Sequence, residues 1–303
     1  MFGRDFKQSI NGVLPPSLTS LDLSISIHMY DMELNTLPSS LTEIYLPSFF
    51  STRLDHTPLQ RLHVRSFVPS GPYPNLRKLW ITDYTSRSNF NPTRYPSLTG
   101  LYIKTGEHVQ DLSPFPMVTL KCFRMSQPSG RFDMMSVINP IPFGIEKLAL
   151  DGCQFKLSNA KCLPNSIRRL ELKGCMGMRP DSIPQSVTWL SLNVATQHWW
   201  STDKGIFLSL RPSLNHLTVS VDKIFAKNRL FKQLPTSIRS LILELNIGHV
   251  LPLLRLSDRT YFRYHSSPSS SSSTEIIPIN SFGFMDIDAV NLWVDNCFPM
   301  RYG

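Results

Sequence analysis

The stretch FKQSINGVLPPSLTSLDL, Phe6 to Leu23, decides the fold. It sets Phe-x-x-x-Ile ahead of Leu-Pro-Pro-Ser-Leu and closes on Leu-x-Leu. The second half returns along the chain as LPSSLTEIYL (37–46), YPSLTGLYI (95–103), IPFGIEKLAL (141–150), LPNSIRRLEL (163–172), IPQSVTWLSL (183–192) and LPTSIRSLIL (234–243). Self-similarity at a short period is the mark of a repeat array, and it has to be read before any single element.

Prolines mark the array at Pro15, Pro38, Pro58, Pro74, Pro96, Pro116, Pro142, Pro164, Pro184, Pro212 and Pro235, about every 22 residues. That gives about eleven units, with individual steps of roughly 16 to 28. The Leu-x-Leu alternation has period two, which predicts a short strand with one buried face. The Pro-Ser pair before it breaks any helix and starts each strand afresh. One such unit cannot bury its own leucines, whereas stacked units can.

The predicted fold is a mainly β solenoid: a leucine-rich-repeat-like curved array with one parallel sheet on the concave face and an irregular convex side. The inward pairs are Leu21/Leu23, Ile44/Leu46, Leu62/Val64, Leu79/Ile81, Leu101/Ile103, Leu148/Leu150, Leu170/Leu172, Leu190/Leu192, Leu217/Val219 and Leu241/Leu243. Around Phe115 to Met125 two registers stay open, with either Phe123 alone or both Phe123 and Met125 inward. Cys153 and Cys175 each stand three residues after the last strand leucine, and Asn246 takes the same slot. A leucine-rich repeat keeps Cys or Asn there, buried and bonded to nearby backbone.

With these residues in place, the chain resembles an FNIP-repeat protein, a leucine-rich-repeat relative of social amoebae and giant viruses. That family's unit runs Phe-Asn-x-x-Ile and then Leu-Pro-x-Ser-Leu-x-x-Leu-x-Leu. Phe6 to Leu23 follows it with Lys7 in place of Asn, and Phe155 and Phe231 are remnants of the first half in later units. The second half recurs over about Phe6 to Leu245. The resemblance implies a binding or scaffolding role. Some relatives carry an F-box or kinase domain, and neither pattern appears in these 303 residues. A weaker similarity is to the Leu-Pro-rich repeats of bacterial effector ubiquitin ligases.

Composition agrees with a packed array. Apolar residues make up 41% and charged residues 17% of the chain, enough to bury a core. The 24 prolines argue against long helices. Thirty-one basic against 22 acidic residues leave a net charge of +9, which favours acidic partners. The five cysteines are odd in number and form no Cys-x-x-Cys pair, so neither a disulfide framework nor a structural zinc site is expected. The start MFGRDFKQSI lacks a signal-peptide core, and no stretch approaches the ~18 apolar residues of a bilayer span. An intracellular, cytoplasmic setting is the expectation.

The residues beside the inward leucines face the open, concave side, where solenoids bind. Three successive units stand out. QRLHVRS offers Arg61, His63 and Arg65, RKLWITD offers Lys78 and Trp80, and TGLYIKT offers Tyr102 and Lys104. Stacked at about 4.8 Å between strands, they form one basic and aromatic patch with no acid among the face positions. Arginine with exposed aromatics is the composition of interface anchors and suits carboxylate or phosphate. The expected partner is a protein, acidic or phosphorylated. A substrate-recruiting adaptor working with a ubiquitin ligase or kinase in trans is the alternative. Nucleic acid is disfavoured, because no recognition helix, zinc finger or long basic run accompanies the charge.

Past residue 265 the chain changes character. Residues 1–265 read as the solenoid, 266–274 as a Ser-rich linker, and 275–303 as an apolar, acidic tail that forms a cap or short helix. Ile287, Val290 and Val294 have the spacing of one helix face. No Gly-x-Ser-x-Gly, P-loop, His-Glu-x-x-His or EF-hand pattern occurs. His56 and His63 have no third ligand partner, and His198-Trp199-Trp200 sits on a connection. No enzyme, cofactor or metal is therefore expected, and oligomeric state is left open.

Overall fold

The computed structural model describes residues 10, 12–25, 37–47, 54, 58–65, 72–84, 91–105, 119–126, 132–133, 141, 143–154, 163–175, 182–193, 212–221, 235–245, 250–257, 260–263 and 283–286. The recurring phrase folds as a tight turn followed by a strand. In LPSSL the Pro38 carbonyl accepts the Leu41 N–H at 3.0 Å. The same bond joins Pro15 to Leu18, Pro164 to Ile167, Pro184 to Val187 and Pro235 to Ile238. At Tyr73–Leu76 and Tyr95–Leu98 a tyrosine starts the turn, and the proline follows in the second position that such turns favour. An alignment on proline is thus one residue out in these two units. The equivalent residue is the one that opens the turn. Tyr73 and Tyr95 are buried there, with ring centroids 5.8 Å apart.

The chain divides into two units. The first holds β1 (Ser20–Asp22), β2 (Glu43–Tyr45), β3 (Arg61–Val64), β4 (Lys78–Ile81), β5 (Gly100–Lys104), β6 (Cys122–Ser126), β7 (Phe132–Asp133), β8 (Lys147–Asp151) and β9 (Cys153–Gln154), with a 3-10 turn at Pro92–Arg94. Strands β1 to β6 and then β8 pair in parallel, each with the next. β7 and β9 form a separate parallel pair. The second unit holds β10 (Arg169–Lys173), β11 (Trp189–Asn193), β12 (His216–Val221), β13 (Ser240–Leu245), β14 (Val250–Arg255), β15 (Thr260–Arg263) and β16 (Gly283–Asp286). β10 to β13 are parallel. β14, β15 and β16 continue antiparallel from β13. No α-helix occurs among the described residues. The architecture is a mainly parallel, leucine-rich-repeat-like β-solenoid.

The core is the column of inward side chains that the alternation predicts. All ten pairs are buried, from Leu21 and Leu23 to Leu241 and Leu243. Phe123 and Met125 both point inward, at 1% and 0% exposure, which closes the register left open around that unit. Ile10 is also buried, as the Phe-x-x-x-Ile half of the phrase requires. Past the strands, Gly152 and Gly174 take φ of 73° and 56°, a left-handed turn that glycine enters without a Cβ clash. Cys175 then lies fully buried, and its thiol reaches the Lys173 carbonyl at 3.3 Å. The Cys153 side chain and Asn246, expected in the same slot, lie outside the described residues. So do Phe6, Phe155, Phe231, the His198–Trp200 run and Ile287 to Val294. The tail's Gly283–Asp286 forms a strand against β15.

Successive units are tied by backbone and by hydroxyls. One carbonyl before each strand accepts two N–H groups from the next unit: Thr19 takes Thr42 and Glu43, Arg77 takes Thr99 and Gly100, and Thr188 takes Asn215 and His216. The Ser or Thr ahead of the inward residue in the turn donates its hydroxyl back one unit. Ser40 reaches the Leu18 carbonyl at 2.7 Å, Thr119 that of Leu98 at 2.8 Å, Ser166 that of Ile145 at 2.7 Å and Ser213 that of Val187 at 3.2 Å. The serine in Pro-x-Ser is therefore an inter-unit clamp as well as a helix breaker. Ser237 departs from the pattern, its Oγ buried without a partner among the described residues. Ser166→Ala should cost about 1 kcal/mol, the net worth of one partly buried hydrogen bond. Urea denaturation measures it, and an unmoved midpoint would show that the clamp contributes nothing.

Candidate binding face

The parallel register places one side chain per strand in a straight row on the open face. In the first unit that row is Asp22, Tyr45, His63, Trp80, Tyr102, Arg124 and Ala149. Strand spacing of about 4.8 Å brings flat rings to stacking distance. Tyr45 and His63 stack with centroids 3.8 Å apart, His63 and Trp80 at 4.0 Å, and Trp80 and Tyr102 at 4.6 Å. Their planes differ by no more than 15°. Four rings from four strands thus form one continuous ladder. Each ring is half-buried, and the two inner rings, His63 and Trp80, have both faces against neighbouring rings.

Glu43 anchors the start of the ladder. Its Oε1 accepts the Tyr45 hydroxyl at 3.2 Å and lies 3.3 Å from His63 Nε2, while Oε2 lies 3.6 Å from Arg61 Nη1. Burial pulls the His63 imidazole below its ordinary value, and the Glu43 hydrogen bond and charge oppose this without overcoming it. His63 is therefore neutral at pH 7 and donates from Nε2–H to the carboxylate, a hydrogen bond rather than an ion pair. Burial, then the Glu43 charge, pushes the Tyr45 hydroxyl up, so it stays protonated.

The seven residues singled out from the sequence gather on this one sheet, but not as an acid-free patch. Arg61 is paired with Glu43, and Arg65, just past β3, lies 3.8 Å from Asp83. Glu43 comes from the unit before the three singled out, and Asp83 from the end of β4's own segment. Lys78 and Lys104 are exposed and make no ion pair among the described residues. A Cβ at Gly100 would meet Lys78 Cγ at 3.4 Å and the Tyr102 ring at 3.5 Å. The lysine stem and the ring edge thus close over that glycine. Tyr45, Glu43 and Arg124 were missed at the sequence level. Their signal was the repeat alignment itself, since Tyr45 occupies the slot of His63 one unit earlier.

The second unit carries a different face. Arg169 lies over the Trp189 ring at 3.8 Å and bonds Glu171 at 2.9 Å, and Trp189 stacks on His216 at 5.2 Å. Burial first, then the Arg169 charge, lowers the His216 imidazole. The next row, Glu171, Ser191, Thr218 and Ile242, carries only one charge.

Both histidines have a sign that can be tested. A folded-state value below the ordinary 6.5 means that the unfolded chain takes up the proton first. Stability is then constant above about pH 7 and falls as pH drops below about 6.5 toward the folded value. His63→Phe keeps a ring in the ladder and removes one titrating group. The difference in urea midpoint between pH 7.5 and 5 should shrink in that variant. An equal difference in both proteins would show that His63 does not titrate as placed.

Among the described residues no cluster of three His, Cys, Asp or Glu side chains could hold a metal ion. No helix there is long and apolar enough to cross a membrane. No protein-family model and no curated protein matches the chain. Among solved structures, the chain is similar to the circular leucine-rich-repeat protein CroV588 at 21% identity and a TM-score of 0.49. The match covers 80% of this chain and spans about a third (36%) of the CroV588 chain.

Proposed function

We propose that this is a non-enzymatic protein-interaction module of the FNIP-repeat kind, which binds an acidic or phosphorylated partner protein on the open face of β3 to β5. The single observation that carries the reading is the Tyr45–His63–Trp80–Tyr102 ladder. Its rings are already ordered by one another, so little side-chain entropy remains to be lost on binding. Aromatic groups in such settings anchor protein interfaces. Exposed Lys78 and Lys104 flank the rings and supply attraction to an acidic surface. Both faces of Trp80 are covered, by His63 and Tyr102, which leaves edges rather than faces for a partner. Base stacking needs a free ring face, which Trp80 does not offer, and this favours protein over nucleic acid. The setting we propose for it is intracellular and cytoplasmic. The buried Ile10, at the Phe-x-x-x-Ile position, supports the repeat assignment.

The test is an affinity pull-down read by mass spectrometry at physiological salt. Lys78→Glu/Lys104→Glu should lose a specific partner about tenfold or more while circular dichroism is unchanged. Arg61→Glu/Arg65→Glu should lose less, because Glu43 and Asp83 already neutralise those groups. Partners retained by the lysine reversal and by Trp80→Ala alike would move the binding site off this face.

A further inference from the structure

The open face of the second unit changes character toward β14. On β13 its side chains are Ser240, Ile242 and Glu244, and on β14 they are Val250, Pro252 and Leu254, in register across the pair. The opposite face carries Leu241, Leu243, Leu251 and Leu253, all buried in the core. β14 is therefore apolar on both faces. A strand with one face in water alternates apolar with polar residues, and a strand apolar on both is the kind that is covered on both. Yet Val250 and Leu254 are 48% and 43% exposed, and Leu256, just past the strand, is 52% exposed. Pro252 is buried between them, and Ile242 and Phe262 are half-buried beside them. Glu244 is the one charged side chain among those six positions on β13 and β14. It is half-buried next to Val250, its Oε2 accepts the Ser220 hydroxyl at 2.8 Å, and no cation pairs with it among the described residues.

We infer that this face of β13 and β14 docks an apolar segment of a partner protein that carries one basic side chain, with the cation on Glu244. The site is separate from the ring ladder, which lies in the first unit and offers lysines to an acidic partner. Charge complementarity and the two apolar faces of β14 carry the inference. Val250, Leu254 and Leu256 supply apolar area of a kind that monomeric surfaces seldom leave uncovered in one place. A half-buried carboxylate with one hydroxyl donor and no counter-ion has acceptor capacity left. An ammonium or guanidinium fills it with charge-assisted hydrogen bonds. The apolar groups around that pair keep water away from it and so strengthen it. A second copy of this chain, packed face to face, would bring another Glu244 and no cation from the same positions. An anionic lipid surface would meet the same repulsion.

The experiment presents the full chain with three immobilised degenerate peptide libraries that share apolar flanks and differ at one fixed centre: lysine, glutamine or glutamate. The lysine library should be retained at least about tenfold above the glutamine library, and Glu244→Gln should remove that preference. Val250→Ser/Leu254→Ser should lower retention of the lysine library by a similar factor, and Trp80→Ala should leave it unchanged. Equal retention of the lysine and glutamine libraries, or a preference indifferent to Glu244→Gln, overturns the assignment of the cation. Retention indifferent to Val250→Ser/Leu254→Ser, or no retention of any library, overturns the docking site. A dimer in light scattering that Val250→Ser/Leu254→Ser dissolves gives the face to a second copy and overturns it too. Circular dichroism and urea midpoints of the variants separate binding from folding. The pull-down with Lys78→Glu/Lys104→Glu tests the first unit independently of all these outcomes.

Discussion

Phe123→Ala is expected to destabilise the first unit by about 3–5 kcal/mol, the range for emptying a fully buried aromatic site. Phe123 is 1% exposed and stands in register between Leu101 on β5 and Leu148 on β8. Its in-register neighbours are strand residues fixed by ladder hydrogen bonds, so they cannot collapse into the cavity left behind. In a solenoid each unit rests on its neighbours, so loss at β6 should uncouple the strands on either side. Urea denaturation followed by tryptophan fluorescence would show this as a lowered midpoint or a split transition. Hydrogen exchange should lose protection first at β5, β6 and β8. A shift below about 1 kcal/mol would mean that Phe123 does not occupy the core slot.

Leu79→Lys is expected to do more still and to prevent the first unit from folding at 25 °C. The neighbouring residue, Lys78, is a lysine already, exposed on the open face. Leu79 is 0% exposed, between Leu62 and Leu101. One step along a strand turns a side chain to the other face. The same residue type is therefore harmless at 78 and ruinous at 79. An ammonium there has no counter-ion in the column of leucines, and an unpaired buried charge costs several kcal/mol even after its pKa yields. Loss of soluble, sheet-rich protein is the expected outcome. A folded protein with wild-type circular dichroism would show that the alternation had been assigned to the wrong face.

The fold was legible because its signal is repeated. A single Leu-x-Leu could be a helix turn or a loop, but ten in phase, each behind a proline, leave only a stacked array, and all ten inward pairs are buried. The parallel register followed from the same period. What the repeat could not show was where it stopped being regular. Tyr73 and Tyr95 replace proline as the first turn residue because the hydrogen-bonded turn, not the proline, is the conserved geometry between units. The switch to antiparallel pairing at β14 also lies outside the phrase. In the sequence VLPLLR is not preceded by a phrase of the LPSSL type, and it follows β13 after only four residues. So short a connection permits a hairpin but not a parallel crossover.

For the candidate site, residue types and face could be read from the chain, and pairing could not. Arg61, His63, Arg65, Lys78, Trp80, Tyr102 and Lys104 come to one sheet because period two and a repeat of about 22 residues put them there. That four rings would stack in nearly parallel planes, that Glu43 would collect Tyr45, His63 and Arg61, and that Asp83 would meet Arg65 depend on rotamers and cross-strand distances of a few ångströms. The same distances leave Arg61 and Arg65 paired, and Lys78 and Lys104 without an ion pair among the described residues. By itself, then, the amino-acid order determined the architecture, the buried face and the register, since hydrophobic burial acts through periodicity that is written along the chain. Only the tertiary structure decided the charge balance and the ladder, since electrostatics and ring stacking act through space between residues some 20 positions apart.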